Sequence, residues 1–293
     1  MNLITVFQRF PDHESCIEHL ERARWGDYPA CPHCGSVKVA RKQENDRIGR
    51  WNCHDCHNSY NVLSGTIFQK TKVPLQKWFL AISLMLNAKK SLSARQLARD
   101  LELTPQTAWY LMMRVRKAMV DDNADFLQGI VEADEAYVGG KPRKANVHAD
   151  SPPAPRGRAT DKQAVIGAVE RGGRVVAQPT VKVDFATLST FINQNVDPNS
   201  LLMTDQHPGY RHMRCYMHHA TVDHSVQYVD GITHTNTIEG FWALLKRAWY
   251  GQHHHYSKRH SFAYVVEACF KYNVRKVADP FLPFIQSTVT VTA

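Results

Sequence analysis

Two carboxylates sit where a carboxylate is expensive to keep, and a third lies on a helix. Asp134 lies inside the run Ile130-Val-Glu-Ala-Asp-Glu-Ala-Tyr-Val138, and Asp205 ends the run Leu201-Leu-Met-Thr-Asp205. Both runs read as buried strands that deliver an acid. A lone carboxylate there is costly unless a cation, a raised pKa or a metal relieves it. Glu239 belongs to His234-Thr-Asn-Thr-Ile-Glu-Gly-Phe-Trp-Ala-Leu-Leu-Lys-Arg247, which reads as a helix. Three acids brought from separate elements make an oxygen-ligand set for hard divalent cations. Two such ions about 4 Å apart drive in-line displacement at phosphorus. One of these aspartates alone could be half of a structural ion pair. Two on strands, with Glu239 on a helix, are harder to explain that way.

On that helix Ile238, Phe241, Trp242 and Leu245 form the apolar stripe. Glu239 and Lys246 are seven residues apart, so they nearly superimpose along the axis. Asn236, three residues earlier, lies beside them. A charged row next to a buried stripe is ordinarily a solvated face. Here His234 and Asn236 add ligand or donor capacity to it.

A second chemistry lies upstream. Cys31-Pro-His-Cys34 and Cys53-His-Asp-Cys56 are separated by eighteen residues. Each pair presents two thiolates from one tight turn, and four sulfurs at tetrahedral geometry suit zinc. Four thiolates leave no open position, so the metal is expected to be structural and coupled to folding. His33, His54 and His57 could replace a thiolate but read as exposed loop residues. Lys38, Arg41, Lys42, Arg47 and Arg50 give this module a basic face, which either touches DNA or is simply solvated. Cys16, Cys215 and Cys269 stand alone and read as small buried apolar groups.

The surrounding elements follow from periodicity. Residues 11–25 and 74–88 have helical stripes, the second with Pro74 in its first turn. Val37–Arg41 and Arg50–Asn52 can be strands that bring the cysteine pairs together. Ser93-Ala-Arg-Gln96 is a capping box that opens a short helix to about residue 100. Thr104-Pro105 supplies a cap and first-turn proline for a second helix to about residue 120. Two short helices about a tight turn make a helix-turn-helix candidate or an ordinary hairpin. If the former, Gln106 and Thr107 can reach base edges, and Arg114 with later cations can reach phosphates. From residue 129 the pattern turns to strands at 130–138, 164–169, 174–183, 201–205 and 220–223. Helices are expected at 185–195, 236–249 and 258–274. Gly139–Arg158 is rich in Pro, Gly and cations and reads as a mobile loop. The domains expected are a helical lead-in at 1–30, a zinc ribbon at 31–66 and a helix-turn-helix at 72–122. A catalytic domain at 129–277 follows, with its basic loop at 139–163, and then a tail at 278–293.

Bulk properties agree with a nucleic-acid partner. The 293 residues carry a net charge of +9, and 43 % are apolar, enough for real cores. A basic excess of this size favours a polyanion. No window holds the roughly 18 uninterrupted apolar residues of a membrane span, and the first ten residues lack a signal-peptide pattern. Paired CxxC motifs with an odd cysteine count suit a reducing cytosol. Cytoplasmic, nucleoid-associated residence is therefore expected.

The motifs together resemble the DDE-type insertion-sequence transposases that begin with a zinc ribbon. The resemblance covers about residues 10–277. It rests on Cys31-Pro-His-Cys34, Val131-Glu-Ala-Asp-Glu-Ala-Tyr-Val-Gly-Gly140, Thr204-Asp205 with Gly209-Tyr210, and His234–Trp242 followed by Leu244-Leu-Lys-Arg247. It implies an α/β, RNase H-like mixed sheet flanked by helices, preceded by the zinc ribbon and the helix-turn-helix. It also implies two catalytic Mg2+ ions on Asp134, Asp205 and Glu239, two-metal phosphoryl transfer, and Lys246 holding a phosphate. Some members use asparagine as third ligand, which makes Asn236 a rival to Glu239. The implied partners are transposon-end and target DNA, with a homo-oligomer as the active complex. Two other functions remain open: a zinc-ribbon DNA-binding regulator without catalysis, and a nuclease that cuts without joining. The three acids favour catalysis over the first, and a strand-transfer assay separates the second. His253-His-His255 could bind metal but reads better as a polar loop facing DNA. Tyr137, Tyr210 and Tyr250 could pose as covalent nucleophiles, but the arginine-histidine set that would serve them is not assembled.

The basic loop yields one prediction. Replacing Lys141, Arg143 and Lys144 weakens binding to all DNA sequences and flattens the dependence of affinity on salt, because each phosphate contact releases counterions. Equal salt slopes for the variant and the parent chain would remove these three cations from the interface.

Overall fold

The computed structural model describes residues 1–42, 49–121, 124–140, 162–222 and 234–290. Two compact units emerge: Met1–Val120 with Lys276–Ala293, and Asp121–Arg275.

The first unit holds α1 (Leu3–Arg9), α2 (His13–Trp25), β1 (Val39–Arg41), β2 (Arg50–Cys53), β3 (Ser59–Asn61), α3 (Leu75–Asn87), α4 (Ala94–Asp100), α5 (Pro105–Lys117) and α9 (Phe281–Thr290). The three strands form one antiparallel sheet in the order β1-β2-β3. Its small core consists of Cys31, Trp51, Cys53 and Tyr60, with Trp25 of α2 against it. Glu21 of α2 accepts the Trp51 indole N–H at 2.7 Å and pairs with Arg41 at 2.7 Å. Helix α2 is thus stitched to the ribbon and is more than a lead-in. Arg41, read as part of a basic face, spends its charge on that stitch. Gly49 has φ +74°, and a Cβ there would lie 2.6 Å from Ile17 Cγ2. Only glycine lets this strand start so close to α2.

The caps at α4 and α5 form as their residues dictate. Ser93 accepts Gln96 N–H, and Thr104 accepts Thr107 N–H ahead of Pro105. Pro74 stands one place before its helix, at the cap position. Helix α1 lies within the expected helical lead-in, ahead of the 11–25 stripe, and α9 lies where no helix was expected. Residues 278–293, expected as a tail, contain α9, whose Phe281, Phe284, Ile285 and Val289 are buried. Phe281 joins Phe10 and Phe79 in an aromatic cluster, with ring centroids 6.4 and 6.1 Å away. Burial of that face, more than helix propensity, holds α9 in place.

The second unit holds β4 (Ile130–Val138), β5 (Gln163–Glu170), β6 (Val175–Thr180), α6 (Phe185–Asn195), β7 (Leu201–Asp205), β8 (His218–Val222), α7 (Asn236–Ala248) and α8 (Ser261–Asn273). Its sheet runs β6-β5-β4-β7-β8. The first three strands are antiparallel, and β4, β7 and β8 are parallel. This is the mixed, helix-flanked sheet that the sequence led us to expect. One face packs Val131, Ala133, Ile166, Ala168 and Leu202 against Leu188, Phe191 and Ile192 of α6. The other packs Ala136, Val138, Val165 and Val169 against Ile238, Phe241, Trp242 and Leu245 of α7 and Val265 of α8. Burial on both faces explains why these strands read as near-continuous apolar runs. No helix among the described residues is long and apolar enough to cross a membrane.

The cysteine quartet closes as a metal site should. Sγ of Cys31 is 3.7 Å from Sγ of Cys56, and Sγ of Cys34 is 3.6 Å from Sγ of Cys53. Zinc bonded to four sulfurs at about 2.3 Å sets tetrahedron edges of about 3.8 Å. The donor set therefore fits zinc in both chemistry and spacing, with His33, His54 and His57 outside the four-sulfur group. The backbone N–H of Cys56 chiefly, then that of Asp55, draws the Cys53 thiol down to about 6. Purified chain is expected to carry one zinc. Cys53→Ser or a strong chelator removes the metal and shifts the emission of buried Trp51, since so small a core does not hold without its metal. Unchanged tryptophan emission in metal-free protein would count against the site.

Candidate functional site

Parallel pairing of β4 with β7 builds the site. The register runs Ile130↔Leu201, Val131↔Leu202, Glu132↔Met203. Two residues further along each strand stand Asp134 and Asp205, level on neighbouring strands about 4.8 Å apart. Asp134, Asp205 and Glu135 each place one carboxylate oxygen within 4.8 Å of the other two. Burial pushes the Asp134 carboxyl up to about 6, and the charges of Asp205 and then Glu239 push the same way. The Glu135 backbone N–H and the Trp242 indole oppose that rise. Like charges this close repel unless a cation or a proton relieves them.

A gap in the neighbouring strand seats Asp134. Its cross-strand partner on β5 is Gly167. A Cβ at Gly167 would lie 2.7 Å from Cη2 of Trp242. The missing side chain leaves room for the indole, whose Nε1–H donates to Asp134 Oδ2 at 3.0 Å. The expected stripe residue Trp242 is therefore both core and site wall.

Asp205 is held from the turn that follows it. Its Oδ1 accepts the His207 backbone N–H at 2.9 Å. The His207 ring is buried, and its Nδ1 accepts Gly209 N–H at 2.8 Å. That bond places the proton of the neutral ring on Nε2, which faces Glu135 Oε1 at 3.5 Å. A Cβ at Gly209 would lie 2.7 Å from this ring and 2.6 Å from Leu188, so only glycine permits the turn. His207 and Glu135 were not singled out from the sequence. The alternation of β4 could have flagged Glu135, but nothing in the sequence pairs it with His207.

The other expected residues are distributed as follows. Asn236 is the first residue of α7, and Glu239 lies in its first turn; both are exposed. Glu239 is not one of the three clustered acids, although its charge reaches Asp134, and its Oε1 accepts Thr235 Oγ1 at 3.4 Å. Lys246 is exposed in the last turn of α7. Gln106 is exposed on α5, while Thr107 Oγ1 shares a 2.9 Å hydrogen bond with Thr104 Oγ1. Arg114, expected at a phosphate, donates to the carbonyls of Gln69 and Thr66 and to Tyr110 Oη. Its guanidinium pins α5 to the segment after the ribbon, because those carbonyls lie within its reach. Lys141, Arg143 and Lys144 fall outside the described residues, as does Arg47. His253 lies against the Tyr264 ring at 4.6 Å, and the histidine trio forms no metal cluster among the described residues. Tyr210 is buried in the α6-side core. Cys16 and Cys269 are buried, as expected, whereas Cys215 is exposed.

Comparison with known proteins places these features in a family. Residues 126–273 match the ISXO2-like transposase domain, and residues 11–59 match the transposase zinc-ribbon domain. The uncharacterized protein in transposable element ISH50 of Halobacterium salinarum is 28 % identical over 253 residues, covering 82 % of this chain and 83 % of that one. Among solved structures, the Mos1 transposase paired-end complex with left transposon end is 16 % identical, with TM-score 0.28 over 73 % of this chain and 80 % of that one. A pre-cleavage Mos1 transpososome is also 16 % identical, with TM-score 0.26 over 71 % and 77 %. The matched domain spans just over half of the sequence and contains Asp134, Asp205, Asn236, Glu239 and Lys246. This chain belongs to the ISXO2-like transposase family.

Proposed function

We propose that the chain cleaves DNA at the ends of its insertion sequence and joins the freed ends to target DNA. The observation that carries this is the level placement of Asp134 and Asp205 on neighbouring parallel strands, with Glu135 beside them as a third clustered acid. That donor set is all oxygen and anionic, which fits Mg2+. Asp134 and Asp205 would hold two such ions, with Glu239 completing the set from α7. Glu239 carries a charge that reaches Asp134, and Asn236, three residues earlier on the same helix, is its rival. When bound, the ions supply polarisation of the scissile phosphate and a water of lowered pKa.

The chain's own groups do the rest. The Trp242 indole fixes Asp134, and the His207 backbone fixes Asp205. Lys246, seven residues beyond Glu239 on the helix, holds a phosphate of the bound strand. The α4–α5 pair reads the terminal DNA through Gln106 and Thr107, which lie at the start of α5. In this scheme the ribbon, the helix pair and the sheet are separate functional modules. The active complex is a homo-oligomer on DNA, associated with the nucleoid.

Asp134→Asn and Asp205→Asn each abolish Mg2+-dependent nicking and joining of a labelled terminal duplex and leave DNA binding near that of the parent. Glu239→Gln behaves likewise, and Asn236→Ala only lowers the rate. The reverse order would assign the third ligand to Asn236. Parent-like cleavage by either aspartate variant would overturn the proposal, and cleavage without joining would reduce it to a nuclease.

Asp134→Asn has a second expected outcome, in metal-free protein. The folded carboxyl sits at about 6, above its unfolded value. Folding therefore favours the protonated acid, and stability falls as pH rises through about 4 to 6. The asparagine variant escapes this loss. It should be more stable than the parent at pH 8, by an amount on the order of 1–3 kcal/mol, with the difference shrinking toward pH 4. Thermal unfolding across that range checks it, and a pH-independent difference would contradict the assigned burial.

A further inference from the structure

Glu132 is completely buried, two residues before Asp134 on the same face of β4. A buried carboxylate is costly unless it is fully bonded. Five groups converge on this one. Its Oε2 accepts the backbone N–H of Thr237 at 2.7 Å and of Ile238 at 3.0 Å. Its Oε1 accepts Thr237 Oγ1 at 2.9 Å and Arg171 Nε at 2.6 Å. His234 Nδ1 stands 3.3 Å from the same oxygen.

The two amides are the second and third of α7, which are the ones an N-cap side chain ordinarily serves. The residue at the cap position, Thr235, makes no such side-chain bond. The cap of α7 is thus supplied from another element, more than a hundred residues earlier in the chain. Negative charge at a helix N-terminus also suits the helix dipole. Arg171 completes the clamp from the turn between β5 and β6. Its Nη2 donates to the His234 carbonyl at 2.9 Å and contacts His234 Nδ1 at 2.9 Å. A cap within one helix stabilises that helix. A cap delivered by a strand also fixes where the helix begins relative to that strand.

We propose that Glu132 is a positioning residue: it docks the first turn of α7 onto β4 and so sets where Asn236 and Glu239 stand relative to Asp134. This rests on the proposed function in assigning α7 a ligand. The docking itself rests only on the contacts above. Trp242 and Asp134 make the second tie between the same helix and strand, a little over one turn along. With both ties intact the helix has one seat. With Glu132 removed it keeps its apolar stripe and its hold on Asp134, and loses the register of its first turn.

Two variants of the full chain test this. Glu132→Gln keeps the shape but turns an amide N–H2 toward donors. Glu132→Asp keeps the charge that Arg171 needs but withdraws it by one methylene from the α7 amides. Both are expected to bind terminal DNA within about twofold of the parent and to weaken Mn2+ binding, followed by its electron paramagnetic resonance signal, by about tenfold or more. Cleavage rate at saturating DNA should fall by about 10- to 100-fold. Amide exchange should quicken at Thr237 and Ile238 while the amides of β4 and β7 keep their protection. Uniform loss of protection through the sheet, or unchanged exchange at Thr237 and Ile238, overturns the proposal. So does a Glu132→Asp variant that matches the parent, since charge rather than reach would then be what matters. If the parent itself binds no Mn2+ and cuts no DNA, the proposed function fails, and the exchange pattern alone still decides whether Glu132 seats the helix.

Discussion

Two carboxylates held level on adjacent parallel strands repel each other, and the folded chain must supply the force that keeps them there. The β4–β7 register supplies it, because strand pairing is a ladder of bonds that one pair of side chains cannot slip. The core faces on either side of the sheet are built to keep that register. Residues of α6 fill one face and residues of α7 and α8 the other. A one-residue slip would turn every apolar side chain of β4 to the wrong layer. Charge repulsion of a few kcal/mol at most is small against that penalty, so the site can stay under electrostatic tension without yielding.

The supports around the acids divide by type of contact. Asp134 is set by packing, through the space at Gly167 and the indole that fills it. Asp205 is set by a turn whose geometry depends on Gly209. The first turn of α7 is set by charge, through Glu132. Close packing, backbone conformation and buried electrostatics thus each fix a different part of one centre. Losing any one of them displaces a different residue.

Much of this was legible in the sequence. Apolar runs buried on both faces announce themselves, and β4, α6 and β7 lie at the residues expected. The α7 stripe was equally clear, because Trp242 and its neighbours repeat at helical spacing. The paired cysteines fixed the ribbon. What could not be read depends on partners distant in the chain. Glu132 looked like one more acid in an acidic strand until α7 was placed against it. Glu135 gains meaning only once the fold sets it beside Asp205 and the His207 ring. Arg114 had the right position on the helix for a phosphate, yet the nearest acceptors are carbonyls of its own unit. Helix α9 is short and carries Pro283, and its stability comes from a surface that the local sequence does not reveal.

That helix has a consequence for the order in which the molecule is made. Residues Phe281–Thr290 belong to the same compact unit as the zinc ribbon, yet the whole five-stranded sheet lies between them in the chain. On the ribosome the ribbon can take its metal early, while the aromatic seat around Phe10 and Phe79 waits for Phe281. The amino-terminal unit is therefore finished last. A product whose synthesis stops anywhere in the five-stranded sheet leaves that seat open, with apolar surface bare. The cell's proteases can recognise such a surface, so a half-made chain is marked for removal by its own incomplete fold.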